Sequence, residues 1–395
     1  MNYILFDDQS RNNLLPLTFM RPVAEIRLGI LTFREKWEFL LKAKTSTLTE
    51  AYLSEKFPIV KEKSNILING AICPSPELIK EIHALKPNQT LVAEDSIIAL
   101  NINEEDLDDT GDMDITGIDE VESKVDILRI NDSWEIFSRN GQAIEKDFEL
   151  LTKGRKSKKL SPTNRVVGEE NIFVEEGAKV EFAILNATTG PIYIGKDAEI
   201  MEGAVIRGPF ALCEHATVKM SAKIYGPTTI GPWSKVGGEV NNSVIFGYSN
   251  KAHDGFLGNS VIAEWCNIGA DTNNSNLKNS YDSIKLWNYP QRTFVDTGLQ
   301  FCGLIMGDHS KTGINTMFNT GTVVGVNVNV FGPGYQRNFV PSFSWGGTSG
   351  FSGYNINKAI DVAKAVYARR GKEFDEVEQD ILINVYDETA NNRFL

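Results

Sequence analysis

The sequence predicts an α/β domain followed by a parallel β-solenoid, with helices at the C-terminal end. Two observations carry this prediction. Ile194, Ile200, Ile206, Leu212, Val218, Ile224, Ile230 and Val236 stand six residues apart, and the spacing returns at Met306, Thr312, Phe318, Val324 and Val330. In the first 150 residues, short apolar runs instead alternate with helix-period segments, the pattern of a layered α/β domain.

A six-residue period is not helical. At about 100° per residue, six steps turn a side chain by about 240°, so these residues could not share a helix face. Six is even, so each can point inward from a short strand. A glycine follows several of them, as in Ile194-Gly195, Ile230-Gly231 and Met306-Gly307, and supplies a corner. Three strands and three corners make a coil of about eighteen residues, and stacked coils share one continuous core.

In the first domain, Tyr3 to Phe6 reads as a strand. Phe33, Trp37, Leu40 and Leu41 form the apolar stripe of a helix, and Ile66 to Ile68 a second buried strand before Asn69-Gly70. Ser75-Pro76-Glu77 reads as an N-cap with proline at the first helical position, and Leu78, Ile79, Ile82 and Leu85 give that helix its buried side. From Glu94 to Asp126 there are thirteen acidic residues and one lysine, which reads as a solvated excursion. Trp134, Ile136 and Phe137 open the last helix of the domain. The organisation is therefore 1–152 for the α/β domain, 153–165 for a basic linker containing Lys153 to Pro162, 166–350 for the solenoid, and 351–395 for a helical segment. Asp271 to Tyr281 is polar and is expected to leave the solenoid as a loop, where ligand contacts are common. Two helices, around Ile356 to Tyr367 and Phe374 to Leu382, are expected to close the open end.

Composition narrows the function classes. The net charge of −12 disfavours nucleic acid as a partner, although a few local cations can still hold a phosphate. No apolar run approaches the roughly 18 residues that span a bilayer, and the N-terminus lacks the basic start of a signal peptide. Cys73, Cys213, Cys266 and Cys302 are widely separated, which fits a reducing cytoplasm better than a disulfide or zinc framework.

The stretch Asn250-Lys251-Ala252-His253-Asp254-Gly255-Phe256-Leu257-Gly258-Asn259-Ser260-Val261-Ile262 is similar to a K-x-x-H-L-x-Y-x-G-D-x-x-I element, and Met306 to Asn315 to a G-D-x-x-K-T-G-I-N coil. With the domain order, these residues resemble the GlmU-like bifunctional sugar-1-phosphate nucleotidylyltransferase/acetyltransferases. The resemblance implies a nucleotidyltransferase-like, Rossmann-like first domain and a left-handed β-helix. It also implies a homotrimer that uses acetyl-CoA in nucleotide-sugar biosynthesis, acting on sugar phosphates and nucleoside triphosphates rather than on nucleic acid or membrane. His253 takes the place of the general base, a task suited to an imidazole that titrates near neutral pH. Glu239, Phe256, Asn267 and Lys285 fall at or near acceptor positions, with Phe256 replacing a tyrosine and Lys285 on a loose alignment. Asn276, Lys278 and Gly313 fall where the coenzyme is held.

In the first domain the resemblance is thinner. Arg11, Leu15 to Thr18 and Arg21-Pro22 match an R-x-x-P-L-T-x-x-R-P element, and Asn69-Gly70 a strand end. These imply nucleotide contacts by Asp7, Asp8, Arg11, Thr18, Arg21, Asn69 and Gly70, with Mg2+ if that domain is active. The glycine-rich loop, the following lysine and the magnesium-binding aspartate are all missing. The competing expectation is a non-catalytic or ligand-binding hexapeptide scaffold with a degenerate nucleotidyltransferase domain.

Overall fold

The computed structural model describes residues 1–94, 96–103 and 119–394, so residues 95 and 104–118 of the acidic segment lie outside the described residues. The first domain is a six-stranded sheet in the order Ser46–Leu48, Asn2–Phe6, Ser64–Asn69, Ser96–Asn103, Gln89–Ala93, Asp119–Glu122. The first three strands are parallel, and Ser96–Asn103 runs antiparallel to Ser64–Asn69. Alternation buries both faces. Tyr3 and Leu5 pack with Trp37, Leu78 and Ile82, while Ile4 and Phe6 pack with Leu67, Leu100 and Ile102. The helix Phe33–Leu41 starts on a Thr32/Glu35 capping box. The helix Pro76–Ala84 starts where its sequence signal lies, with the Ser75 side chain accepting the Leu78 N–H.

After the helix Glu135–Thr152 the chain enters a parallel β-solenoid of three faces. Face one stacks nine strands, from Ile172–Val174 to Phe339–Val340. Face two runs from Lys179–Val180 to Asn250–Lys251 and continues through Asn267 to Lys311–Thr312. Face three runs from Arg165–Val167 to Phe256–Gly258. The six-residue row is the interior: Ile194, Ile206, Leu212, Val218, Ile230 and Val236 are all fully buried in one cluster. Burial of such a row stabilises the stacked coils at about 25 cal/mol per Å² of apolar area.

Coil length then changes. Thr217 pairs with Lys235 eighteen residues on, but Thr229 pairs with Val244 after only fifteen. The polar stretch expected to leave the solenoid does so only in part. Asn273–Asn274 still completes face three, pairing in parallel with Met317–Phe318, and Asn274 is buried with its amide on the Gly258 backbone. The asparagine satisfies strand groups that a shorter coil leaves open, which is why polarity misled the reading. The true insertion follows and contains the antiparallel hairpin Lys285–Asn288/Thr293–Asp296.

The C-terminal helices do not close the end. Ile356–Ala368 runs back along the flank of the solenoid, where Tyr367 stacks on Trp265 at 3.9 Å. Glu376–Glu388 returns beside it and reaches the first domain through Lys56–Glu378. They seal a seam between domain and solenoid, because an aromatic corner row (His215, Trp233, Tyr248, Trp265, His309) stacks there and its apolar surface needs cover.

Candidate active site

Face three carries Lys223, Glu239 and Phe256 on successive rungs of one outward row. The Glu239 carboxylate accepts from the Tyr225 hydroxyl at 2.6 Å and lies 3.4 Å from Lys223 Nζ. The Tyr225 bond, and behind it Lys223, lowers its pKa, so Glu239 is an anion at neutral pH. The Phe256 N–H donates to Asn273 Oδ1 at 2.8 Å. Its ring lies over Gly258, where a Cβ would collide with both that ring and the Asn276 amide. Glu239, Phe256 and Asn276 therefore converge.

His253 sits at the corner between faces two and three, just before Phe256. It is exposed, and its ring makes no hydrogen bond or ion pair with any described residue. Its backbone is held from inside. Lys251 occupies the inward position that Val236 fills one coil earlier, is buried, and donates from Nζ to the His253 carbonyl. Burial pushes the Lys251 amine down to about 8, against the pull of Asp254 and Asp271. Gly255 turns the same corner at φ +114°, against the Thr272 backbone. Gly313 occupies the corner beyond, under Gly269 and Thr272.

Other expected residues lie elsewhere. Asn267 is exposed on face two, bridging Asn250 and Lys311, around the corner from Glu239. Lys278 donates to the Ser283 carbonyl at 2.6 Å inside the insertion, and Lys285 is exposed on the hairpin.

In the first domain, Asp7, Asp8, Arg11, Asn69 and Gly70 gather at the carboxyl ends of two parallel strands, where open α/β sheets bind ligands. The cluster is closed on itself. Asp8 accepts from Asn69 at 2.7 Å, Arg129 at 2.6 Å and the Ser10 N–H at 2.9 Å. Asp7 accepts from the Val23 N–H and Thr49, and burial raises its pKa to about 6. Arg11 is buried on the Thr18 carbonyl and the Tyr52 hydroxyl, and the Thr18 hydroxyl returns to the Arg11 carbonyl. All four carboxylate oxygens of Asp7 and Asp8 are engaged by protein donors, so this arrangement offers the expected Mg2+ no uncommitted oxygen. Arg21 is not at this edge. It is buried against the solenoid, 3.0 Å from Asp308 and 3.2 Å from Glu264. Burial opposes its charge, but Asp308 and Glu264 outweigh that and raise its pKa.

A family model described as sugar nucleotidyl transferase matches residues 3–156. That match supports a transferase role in sugar metabolism. No curated protein gives a significant match. Among solved structures, the chain is similar to an Arabidopsis UDP-N-acetylglucosamine acyltransferase at 15% identity, over 52% of this chain and 77% of that one, with a TM-score of 0.24. It is also similar to the polySia-specific acetyltransferase NeuO at 14% identity, over 53% and 91%, with a TM-score of 0.24. No described helix is long and apolar enough to cross a membrane.

Sequence reasoning places Lys251 in the K-x-x-H element and Tyr225 near the position of a family arginine, but gives neither a role in this region. Lys251 could have been found by following the interior row past Val236 with a shortened coil. The contact of Tyr225 with Glu239 has no sequence signal, because it exists only once the coils stack.

Proposed function

We propose that the chain is a two-domain transferase of sugar-phosphate metabolism whose solenoid moves an acetyl group from acetyl-CoA to the amine of an amino-sugar phosphate. The observation that carries this reading is His253: an exposed imidazole without a partner among the described residues, on a corner braced by Lys251 and flanked by Glu239 and Phe256. The neutral amine attacks the thioester carbonyl carbon, and its proton passes to His253. The carbon–sulfur bond breaks, and coenzyme A leaves and is protonated. Glu239, an anion, orients the acceptor, while Asn276 and Gly313 lie on the coenzyme side. A homotrimer in the cytoplasm is part of the same proposal, as the family resemblance implies.

A second reading adds nucleotidyl transfer in the first domain. The family match over 3–156 and the polar cluster at the strand ends favour it. The closed Asp7–Arg11 and Asp8–Arg129 contacts oppose it unless they open on binding.

One preparation tests both. With acetyl-CoA and amino-sugar phosphates, His253→Ala should lower thiol release by roughly 10²–10⁴-fold while leaving the fold intact. Unchanged release would remove His253 from the chemistry. Pyrophosphate release from a nucleoside triphosphate and a sugar 1-phosphate reads the second activity.

A further inference from the structure

The flank of face two holds a concentration of positive charge that the acyl-transfer reading does not use. Lys235, Asn250, Asn267 and Lys311 occupy one outward row on successive coils, so the two lysines are three rungs apart, roughly 14 Å at the usual strand spacing. Arg369 and Arg370, just past the end of the helix Ile356–Ala368, cover the row from the other side. Together these six residues wall a cleft of about 550 Å³. No described Asp or Glu lines it, although the chain as a whole carries a net charge of −12.

Ordinary structural needs do not account for the set. Cations at a helix C-terminus are stabilised by its dipole, which explains the arginines. It does not explain two lysines facing them without a carboxylate. Among the described residues Lys311 bonds the His309 carbonyl alone, at 2.7 Å, and burial pushes its amine down to about 8 against the weaker pull of the Cys266 thiol, with no carboxylate beside it. Arg370 reaches only the Asn250 amide oxygen, at 3.5 Å. Four like charges around one cleft repel one another and await an anion. The two asparagines between the lysines add neutral donors of the kind that fix phosphate oxygens.

We propose that this cleft binds a small anion carrying two or more phosphate groups, with Lys235 and Lys311 at the two ends of the row and Arg369 and Arg370 closing over it. The spacing of the cations exceeds the reach of a single phosphate. A nucleoside polyphosphate and the diphosphate end of a coenzyme share this chemistry. The site stands on the cation cleft alone and does not require that His253 be catalytic.

The test is calorimetric titration of the full chain with pyrophosphate, ATP and coenzyme A. It is repeated on a Lys235→Ala/Arg369→Ala double variant, whose two positions are exposed and leave the core untouched. At least one probe should bind, and the double variant should lose roughly tenfold or more in affinity with its thermal midpoint unchanged in the absence of ligand. Binding of coenzyme A without ATP assigns the anion to a coenzyme; the reverse assigns it to a nucleotide; pyrophosphate binding shows that the phosphates suffice. Failure of all three probes to bind overturns the proposal, and so does equal affinity in the double variant, which would locate the ligand elsewhere.

Discussion

At the scale of residues, Lys251 is the side chain most at odds with its surroundings. Its counterparts in the same inward row are Val218, Val236 and Ile268, yet it buries an amine whose only bond is to the His253 carbonyl. The folded-state pKa of about 8 lies below the ordinary 10.5, so folding releases a proton between those values. Stability therefore rises with pH across that window, and the burial penalty is fully present below pH 8. A shift of this size corresponds to about 3 kcal/mol. Lys251→Met, similar in volume, should raise the thermal midpoint at pH 7, and the gain should shrink as pH climbs toward 10.5. A difference independent of pH would show that the amine's charge is not the cause. The same variant frees the His253 carbonyl, so it trades the bracing of that corner for stability.

Among elements, the corner from His253 to Gly255 decides whether the histidine is presented. Gly255 adopts φ +114°, and a Cβ there would overlap the Thr272 carbonyl in the coil beneath. Neither strain nor clash can relax, because both partners are backbone in a stacked coil. Gly255→Ala should cost about 1–3 kcal/mol in unfolding free energy and depress acetyl transfer further than the stability loss alone would. Gly353→Ala is the control: it meets open space and has no positive φ, and should behave as wild type. Equal effects from the two variants would mean that the corner is not constrained as described. The face-two cleft belongs to this scale as well, since only the docking of a helix on a strand row brings its cations together.

Across the whole molecule, domain and solenoid keep their own cores but share a third at the seam. A single cluster joins Leu14, Phe19 and Leu53 of the first domain, Phe246 and Trp265 of the solenoid, and Tyr367 and Leu382 of the C-terminal helices. Arg21 crosses this seam to Asp308. The chain should unfold in urea as one cooperative transition rather than two. Arg21→Met should cost about 3–5 kcal/mol by leaving Asp308 buried and unpaired, and Arg21→Met/Asp308→Leu should recover much of that loss. Two separate transitions, or an Arg21→Met variant as stable as wild type, would show that the seam does not couple the parts.

The sequence by itself determined the repeat. Each inward residue of a short strand is set by a local alternation, so the coils could be read without any distant contact; the corners were legible only in part, because His215, Trp233, Tyr248, Trp265 and His309 turn them at positive φ where glycine was expected. The Ser75-Pro76 helix start was legible for the same reason. The positions of the candidate residues were legible in part: Glu239 and Phe256 lie on adjoining rungs, His253 on the corner just before Phe256, and Asn276 just after the strand Asn273–Asn274. Tertiary structure decided the rest. A coil shortened from eighteen residues to fifteen after Val236 shifted the phase of the inward row and brought Lys251 inside, which a fixed period could not anticipate. Arg21 went to Asp308, 287 residues away, instead of to the strand ends. The C-terminal helices turned back along the flank because the apolar surface that needed cover was an aromatic corner row created by stacking, and no single coil contains that surface.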